Sequence, residues 1–525
     1  MKRTIYRFLA GCCFALLAGG CQKDLLKTIP NDRITSEIFW TEEKDAVLAV
    51  NAIYTYLEGV SIFSYDALSD IARPNQNFMQ ESYIVKGTYD ALNPFVVEKW
   101  DNAYKGIRAV NYFLENVDKV PTDNMDLITR LKGEARFLRA YFYIQLTTLF
   151  GDVPLITKSL SIEEGKTVQR TPATEVYDFI GEELTAAAAE LPVDASEPGR
   201  ITKGAALAFK ARLMLLIKRY DEAAQAAAEV MALDKYELYP SYENLFSYSA
   251  ENNSEVILDK QFTENIYANN SFALLAPYSQ TASGNIVPVK KLVDAYQMQN
   301  GKGIEEAGSG FDPHDPYANR DPRLHYSIFV LGSQLPDGTT YDSRPGSGTA
   351  DAIGYNPGST KTGFNVKKYV NAQDRNDRDN SGINIILMRY AEVLLTYAEA
   401  KIELNQVDAS VFEAINEVRQ RADVGMPAIT APKSQEEMRS IVRRERMIEL
   451  AFEGQRFFDI RRYGIAGEVM NGTASGMTYT NSSGDLVTVT DNSFIRFFDP
   501  DRDVLWPIPQ KELDLNPGLT PNPGW

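Results

Sequence analysis

Apolar residues recur at helical spacing over long stretches of this chain from Ser36 onward. In residues 205–234, AALAFKARLMLLIKRYDEAAQAAAEVMALD, two alanine-rich faces flank a turn near Arg219-Tyr220-Asp221, and their small side chains allow two helices to pack closely. Residues 387–422 repeat the arrangement as LMRYAEVLLTYAEAKIELNQ followed by VDASVFEAINEVRQRA. Looser pairs run through residues 41–57 with 97–117 and through 127–150 with 174–191. Ser434 and Glu437 form a capping box before a further helix whose apolar positions Met438, Ile441, Val442, Ile448 and Phe452 keep the helical period, and Gly454 can end or bend it. Near the end, Asp485-Leu486-Val487-Thr488-Val489-Thr490 alternates as a strand does before a proline-rich terminus.

The pairs have the size and alanine/tyrosine placement of tetratricopeptide units, whose repeat is about 34 residues. Four non-contiguous pairs predict a mainly α fold: a superhelical scaffold over about 36–235 and 387–465, interrupted by insertions. Between and after these lies a loop-rich irregular subdomain carrying short strands, over about 236–386 and 466–525. Residues 59–94 and 236–375 are rich in turn formers and aromatics together, which suits ordered loops packed on the scaffold better than linkers.

The first 20 residues read as an export signal. Lys2, Arg3 and Arg7 precede an apolar run of 13 residues, Phe8 to Gly20, too short to span a bilayer as a helix. Leu17-Ala18-Gly19-Gly20-Cys21 resembles a bacterial lipobox, which implies lipidation of Cys21 and tethering to a membrane by several acyl chains. Gln22-Lys23-Asp24 is similar to the signals that place lipoproteins on the outer face.

Hydrophobic residues make up 44% and charged residues 24% of the 525, a globular balance. Net charge is −17, and loss of the three leader cations makes the mature chain more acidic still. Such a surface disfavours nucleic acid and adhesion to anionic bilayers by charge alone. Only His314 and His325 and three cysteines, Cys12, Cys13 and Cys21, occur. Cys/His zinc sites, Ser-His-Asp triads and Cys-His nucleophiles all need residues that the mature body lacks or has in bare minimum. The two histidines lie in a Pro/Asp/Arg-rich stretch and read as loop-packing groups. Asp377-Arg378-Asp379-Asn380-Ser381-Gly382 resembles half a calcium loop, but Met388 stands where the bidentate Glu belongs, so a turn is preferred and no metal or other cofactor is expected. Gly346-Ser347-Gly348 opens no helix after a strand and makes no phosphate cradle. The mixed-sign set around Arg443, Arg444, Glu445, Arg446, Glu449, Glu453, Arg456, Asp459, Arg461 and Arg462 reads as interlocked ion pairs joining scaffold to tail.

Several ordered segments resemble the RagB/SusD family of nutrient-binding outer-membrane lipoproteins: WDNAYKGIR from Trp100, GEARFLRAYFYIQLTTLFGDVPLI from Gly133, ITKGAALAFKARLML from Ile201, RYAEVLLTYAEAKIELNQ from Arg389, RRERMIELAFEGQRFFDIRRYG from Arg443 and the closing LWPIPQKELDLNPGLTPNPGW. The resemblance implies a non-enzymatic surface protein that binds an oligosaccharide and hands it to a SusC-like TonB-dependent transporter. Peptide capture is the alternative within the family, and a surface glycoside hydrolase or a protein-only tetratricopeptide adaptor are readings outside it. It further implies ligand contacts from the loop after the first helix, here Asp70, Arg73, Asn75, Gln76, Asn77, Phe78 and Tyr83, and from the central insertion, here Tyr278, Gln280, Asn285 and Tyr355. Sugar rings stack on flat apolar faces. All four tryptophans, Trp40, Trp100, Trp506 and Trp525, fall in segments that look structural, so Tyr and Phe must supply the platform, and starch is a poor specific guess.

Overall fold

A computed structural model describes residues 39–525, and the leader, Cys21 and the spacer after it lie outside the described residues. The fold is mainly helical. Helices α1 (Glu43–Tyr54), α2 (Pro94–Asn116), α3 (Met125–Phe150), α4 (Ala173–Glu190), α5 (Lys203–Leu216), α6 (Tyr220–Met231), α7 (Tyr390–Glu403) and α8 (Ala409–Arg419) supply the scaffold, and α9 (Gln435–Glu449) lies against α7. The four expected pairs are present as α1–α2, α3–α4, α5–α6 and α7–α8. Contacts of α2 with α3, α4 with α5 and α6 with α7 stack the pairs into one superhelix, the last across the whole central insertion.

Local chemistry sets the helix ends. Asn93 accepts from the backbone N–H of Phe95 and Val96 and Pro94 takes the first helical position, so α2 starts there. Asn124, Thr202 and Asp408 cap α3, α5 and α8 in the same way. Gly106 lets α2 approach α3, since an added Cβ would overlap the Phe142 ring. The Ser434–Glu437 capping box forms, but α9 ends at Glu449. Phe452 and Gly454 lie beyond it with positive φ, where the Gly454 N–H donates to Asp66 Oδ2 at 2.7 Å. Trp40 sits in a bend just ahead of α1 rather than in a helix.

Among the described residues, eight short strands form four antiparallel pairs: β1 (Ala72–Pro74) with β3 (Ile286–Pro288), β2 (Val256–Lys260) with β6 (Ile385–Arg389), β4 (Ile328–Phe329) with β5 (Asn365–Val366), and β7 (Gly472–Thr480) with β8 (Leu486–Arg496). The β7–β8 hairpin packs on the insertion. The last twenty residues do not. Trp506 is fully buried edge-on to Phe95, Phe150 and Phe457, and Asn522 donates to the carbonyls of Phe150 and Trp506, so the terminus closes on the helical scaffold.

Most of the charged set around α9 is buried and ion-paired, with partners other than the tail, while half-buried Arg444 and Arg461 form no ion pair among the described residues. Glu449 accepts from Arg323 at 2.8 Å, Arg389 at 2.8 Å and Arg421 at 3.0 Å, and Glu255 accepts from Arg389 and Arg421. Glu445 takes Arg323 and Arg419, while Glu453 takes Arg389 and Lys368. Because Glu255, Arg323 and Lys368 belong to the insertion, these pairs lock insertion to scaffold. Arg446 and Arg462 turn instead to Glu399 of α7.

Candidate functional site

The loop after α1 and the central insertion meet at β1–β3. Arg73 pairs in register with Val287, and the Asn75 N–H donates to the Asn285 carbonyl at 2.8 Å, extending the ladder by one step. The Asn75 side chain donates to the carbonyls of Gly358 and Ser359 and accepts from the Lys361 N–H. Gln76 Nε2 donates to the Pro357 carbonyl at 2.6 Å. The Tyr278 ring covers Gly358 so closely that a Cβ there would overlap it. Segments 72–78, 278–286 and 355–361, far apart in sequence, thus form one cluster.

Its outer side is aromatic. Phe78 is 74% exposed, Tyr355 62%, Tyr83 42% and Tyr278 42%, and Tyr112, Tyr267 and Phe497 are open elsewhere. Asn77 is exposed beside Phe78 and accepts from Lys86 Nζ at 2.9 Å. Half-buried Gln76 and Asn285 lie behind the rim.

The remaining expected contacts are inside. Asp70 is buried, held by Arg456 at 2.7 and 2.8 Å and by Lys291 at 2.7 Å. Burial raises the Asp70 carboxyl, but the Arg456 and Lys291 cations outweigh it and bring it to about 2. Arg73 pairs with Asp491 at 3.0 Å and lies 3.7 Å over the Phe494 ring. Buried Gln280 accepts from Arg375 Nε at 3.1 Å. These three brace the walls and present little surface to a ligand.

The cluster contains residues that sequence reasoning did not single out. Lys86 lies 4.7 Å over the Phe494 ring that Arg73 also covers, and Lys361 reaches the same Pro357 carbonyl as Gln76. Arg496 follows Phe494 by two positions in β8, and both are buried. The alternation of β8 carried that signal, because residues two apart share a face.

Other sequence motifs have structural positions. His325 Nε2 donates to the Tyr317 carbonyl, and His314 Nδ1 lies 3.2 Å from Thr480 Oγ1. Asp377 and Asn380 close a turn on each other. Among the described residues, no three His, Cys, Asp or Glu side chains come together as a metal cage, and no helix is long and apolar enough to cross a membrane. Trp40, Trp100 and Trp506 are buried, so no tryptophan of these three can stack on a sugar.

Two family models match the chain: one described as SusD family over residues 242–525, and one described as starch-binding associating with outer membrane over residues 37–215. A SusD-like protein of Formosa agariphila, P2, is 28% identical over 443 residues, covering 82% of this chain and 81% of its own. The crystal structure of a SusD-like carbohydrate binding protein from Bacteroides fragilis aligns with a TM-score of 0.84 and 32% identity over 92% of this chain and 100% of the other. A second Bacteroides fragilis SusD-like protein aligns with a TM-score of 0.82 and 30% identity over 95% and 100%. Helical scaffold, insertion and matched segments agree across nearly the whole described chain: it belongs to the SusD family.

Proposed function

We propose that this protein is a surface receptor that binds oligosaccharide at the Phe78–Tyr83–Tyr278–Tyr355 rim, performs no chemistry on it, and passes it to a SusC-like TonB-dependent transporter. The observation that carries the reading is the rim itself: the exposed rings of Phe78, Tyr278 and Tyr355 on segments tied together by Asn75 and Gln76, with exposed Tyr83 on the helical turn 80–85 that follows Phe78. Exposed rings offer flat apolar faces to pyranoses, and the amides beside them offer hydrogen bonds to hydroxyls. A relative at 32% identity is a carbohydrate binding protein, and the model matching the N-terminal part is described as associating with outer membrane. The lipobox-like Cys21 would supply the tether.

Binding without cleavage suits the carboxylates at this place. A glycosidase needs a carboxylic acid kept protonated as proton donor and a second carboxylate near it. Asp70 and Asp491 are instead held ionised by Arg456, Lys291 and Arg73, and Asp351, although burial pushes its carboxyl up, is itself buried and accepts from the Ser279 N–H. Incubation with a polysaccharide panel, read by calorimetry and by new reducing ends, tests both halves. Saturable heat without new reducing ends is expected, and cleavage by the purified protein would overturn the reading.

A further inference from the structure

Arg496 is 7% exposed, and its Nε and Nη1 are buried without any hydrogen-bond partner. Among the described residues it forms no ion pair, while nearly every other buried arginine of this protein finds a carboxylate or carbonyl. A buried, unsatisfied guanidinium is costly and calls for a partner. It stands beside the rim: Arg496 and Phe494 share the inner face of β8, and Arg73 and Lys86 both lie on the Phe494 ring. Lys86 in turn holds Asn77, and Lys361 holds the Pro357 carbonyl under Gln76.

Arg73, Lys86, Lys361 and Arg496 together meet one carboxylate in this group, Asp491, which Arg73 already occupies. Asp70, the nearest other acid, is taken by Arg456 and Lys291. Local positive excess on a chain of net charge −17 is therefore concentrated at the rim. Burial, joined by repulsion from Arg73 in the other three, lowers the affinity of all four groups for their protons. An arriving anion would relieve that strain, and a guanidinium suits a planar carboxylate or a sulfate.

Resting on the oligosaccharide reading above, we propose that the preferred ligand is an acidic glycan, one whose uronate carboxylate or sulfate ester pairs with Arg496 and Lys86 while its rings stack on the aromatic rim. Oligosaccharides matched in pairs test this, one member bearing uronates or sulfates and the other carboxyl-reduced or desulfated, titrated into the mature protein by calorimetry. The acidic member is expected to bind at least tenfold tighter at low salt, with that advantage shrinking as salt rises from roughly 0.05 to 0.5 M. Arg496→Gln and the surface variant Lys86→Gln should each lose about tenfold for the acidic member and little for the neutral one, with thermal midpoints unchanged or, for Arg496→Gln, raised. Equal affinity within the pairs, or variants that weaken both members alike, would overturn the inference and leave glycan capture standing. If no member binds but a poly-glutamate peptide does, both readings fall.

Discussion

Gln76 and Pro357 stand 281 positions apart in sequence, yet a 2.6 Å hydrogen bond joins the side chain of one to the carbonyl of the other. That bond ties the loop after α1 to the loop that carries Tyr355, so the rim is built by tertiary stitching and its aromatic rings are free to be removed without touching the core.

Phe78→Ala and Tyr278→Ala are each expected to weaken oligosaccharide binding by about 1–2 kcal/mol, roughly five- to thirtyfold. Phe78 is mostly exposed and Tyr278 rests on Gly358 at the surface rather than in the core, so the chemical-denaturation midpoint should move little. Isothermal calorimetry and urea titration on the same preparations separate the two quantities. Gly358→Ala should imitate Tyr278→Ala in affinity, because the new methyl displaces the ring.

Glu449 accepts from three arginines in the interior. Glu449→Gln leaves Arg323, Arg389 and Arg421 short of a counter-charge, and a loss of about 3–5 kcal/mol is expected in urea unfolding. Breaking the exposed Lys158–Glu164 pair, by comparison, should leave the urea midpoint nearly unchanged, because solvent screens it.

Asp70 has its proton affinity lowered in the folded state, to about 2, against an ordinary value of 3.8. Its contribution is therefore complete above about pH 4 and lost as pH falls through about 2. Folded protein should lose stability over that acid window, and Asp70→Asn should be less stable at neutral pH and flatter in acid, as followed by far-UV circular dichroism.

Asp66 goes the other way. It is fully buried, and desolvation pushes its carboxyl up to about 8 while Gly454 N–H and Lys368 only partly oppose this. With the folded value raised, its contribution is complete below about pH 4 and lost as pH rises through about 8. Relative to Asp66→Asn, the native protein should lose up to about 1.4 kcal/mol per pH unit between pH 6 and 8. Urea midpoints of the two proteins across that window give the difference directly, and a zero slope would reject a neutral buried Asp66.

Helix pairing was legible in the sequence because period and caps report burial locally: the Ser434–Glu437 box marks a start, and alanine faces mark contacts, whereas the caps Asn93 and Asp408 emerged only in the fold. The two regions expected to hold ligand do come together. Which of their residues face outward was not legible, since loop residues have no period to betray burial. Asp70 and Arg73 look like surface polar groups in sequence and are interior ion-pair members in the fold. The charged set around α9 was readable as paired from its alternating signs, but its partners Glu255, Arg323 and Lys368 lie in the insertion and only the tertiary structure names them.

The most direct measurement is a calorimetric titration of one bound oligosaccharide against the mature protein and against the Phe78→Ala/Tyr278→Ala double variant. The expected result is saturable binding to the first, with affinity at least about twenty-fivefold lower in the second at unchanged thermal stability. Equal affinity in both would place the sugar elsewhere and contradict the assignment of this rim as its seat.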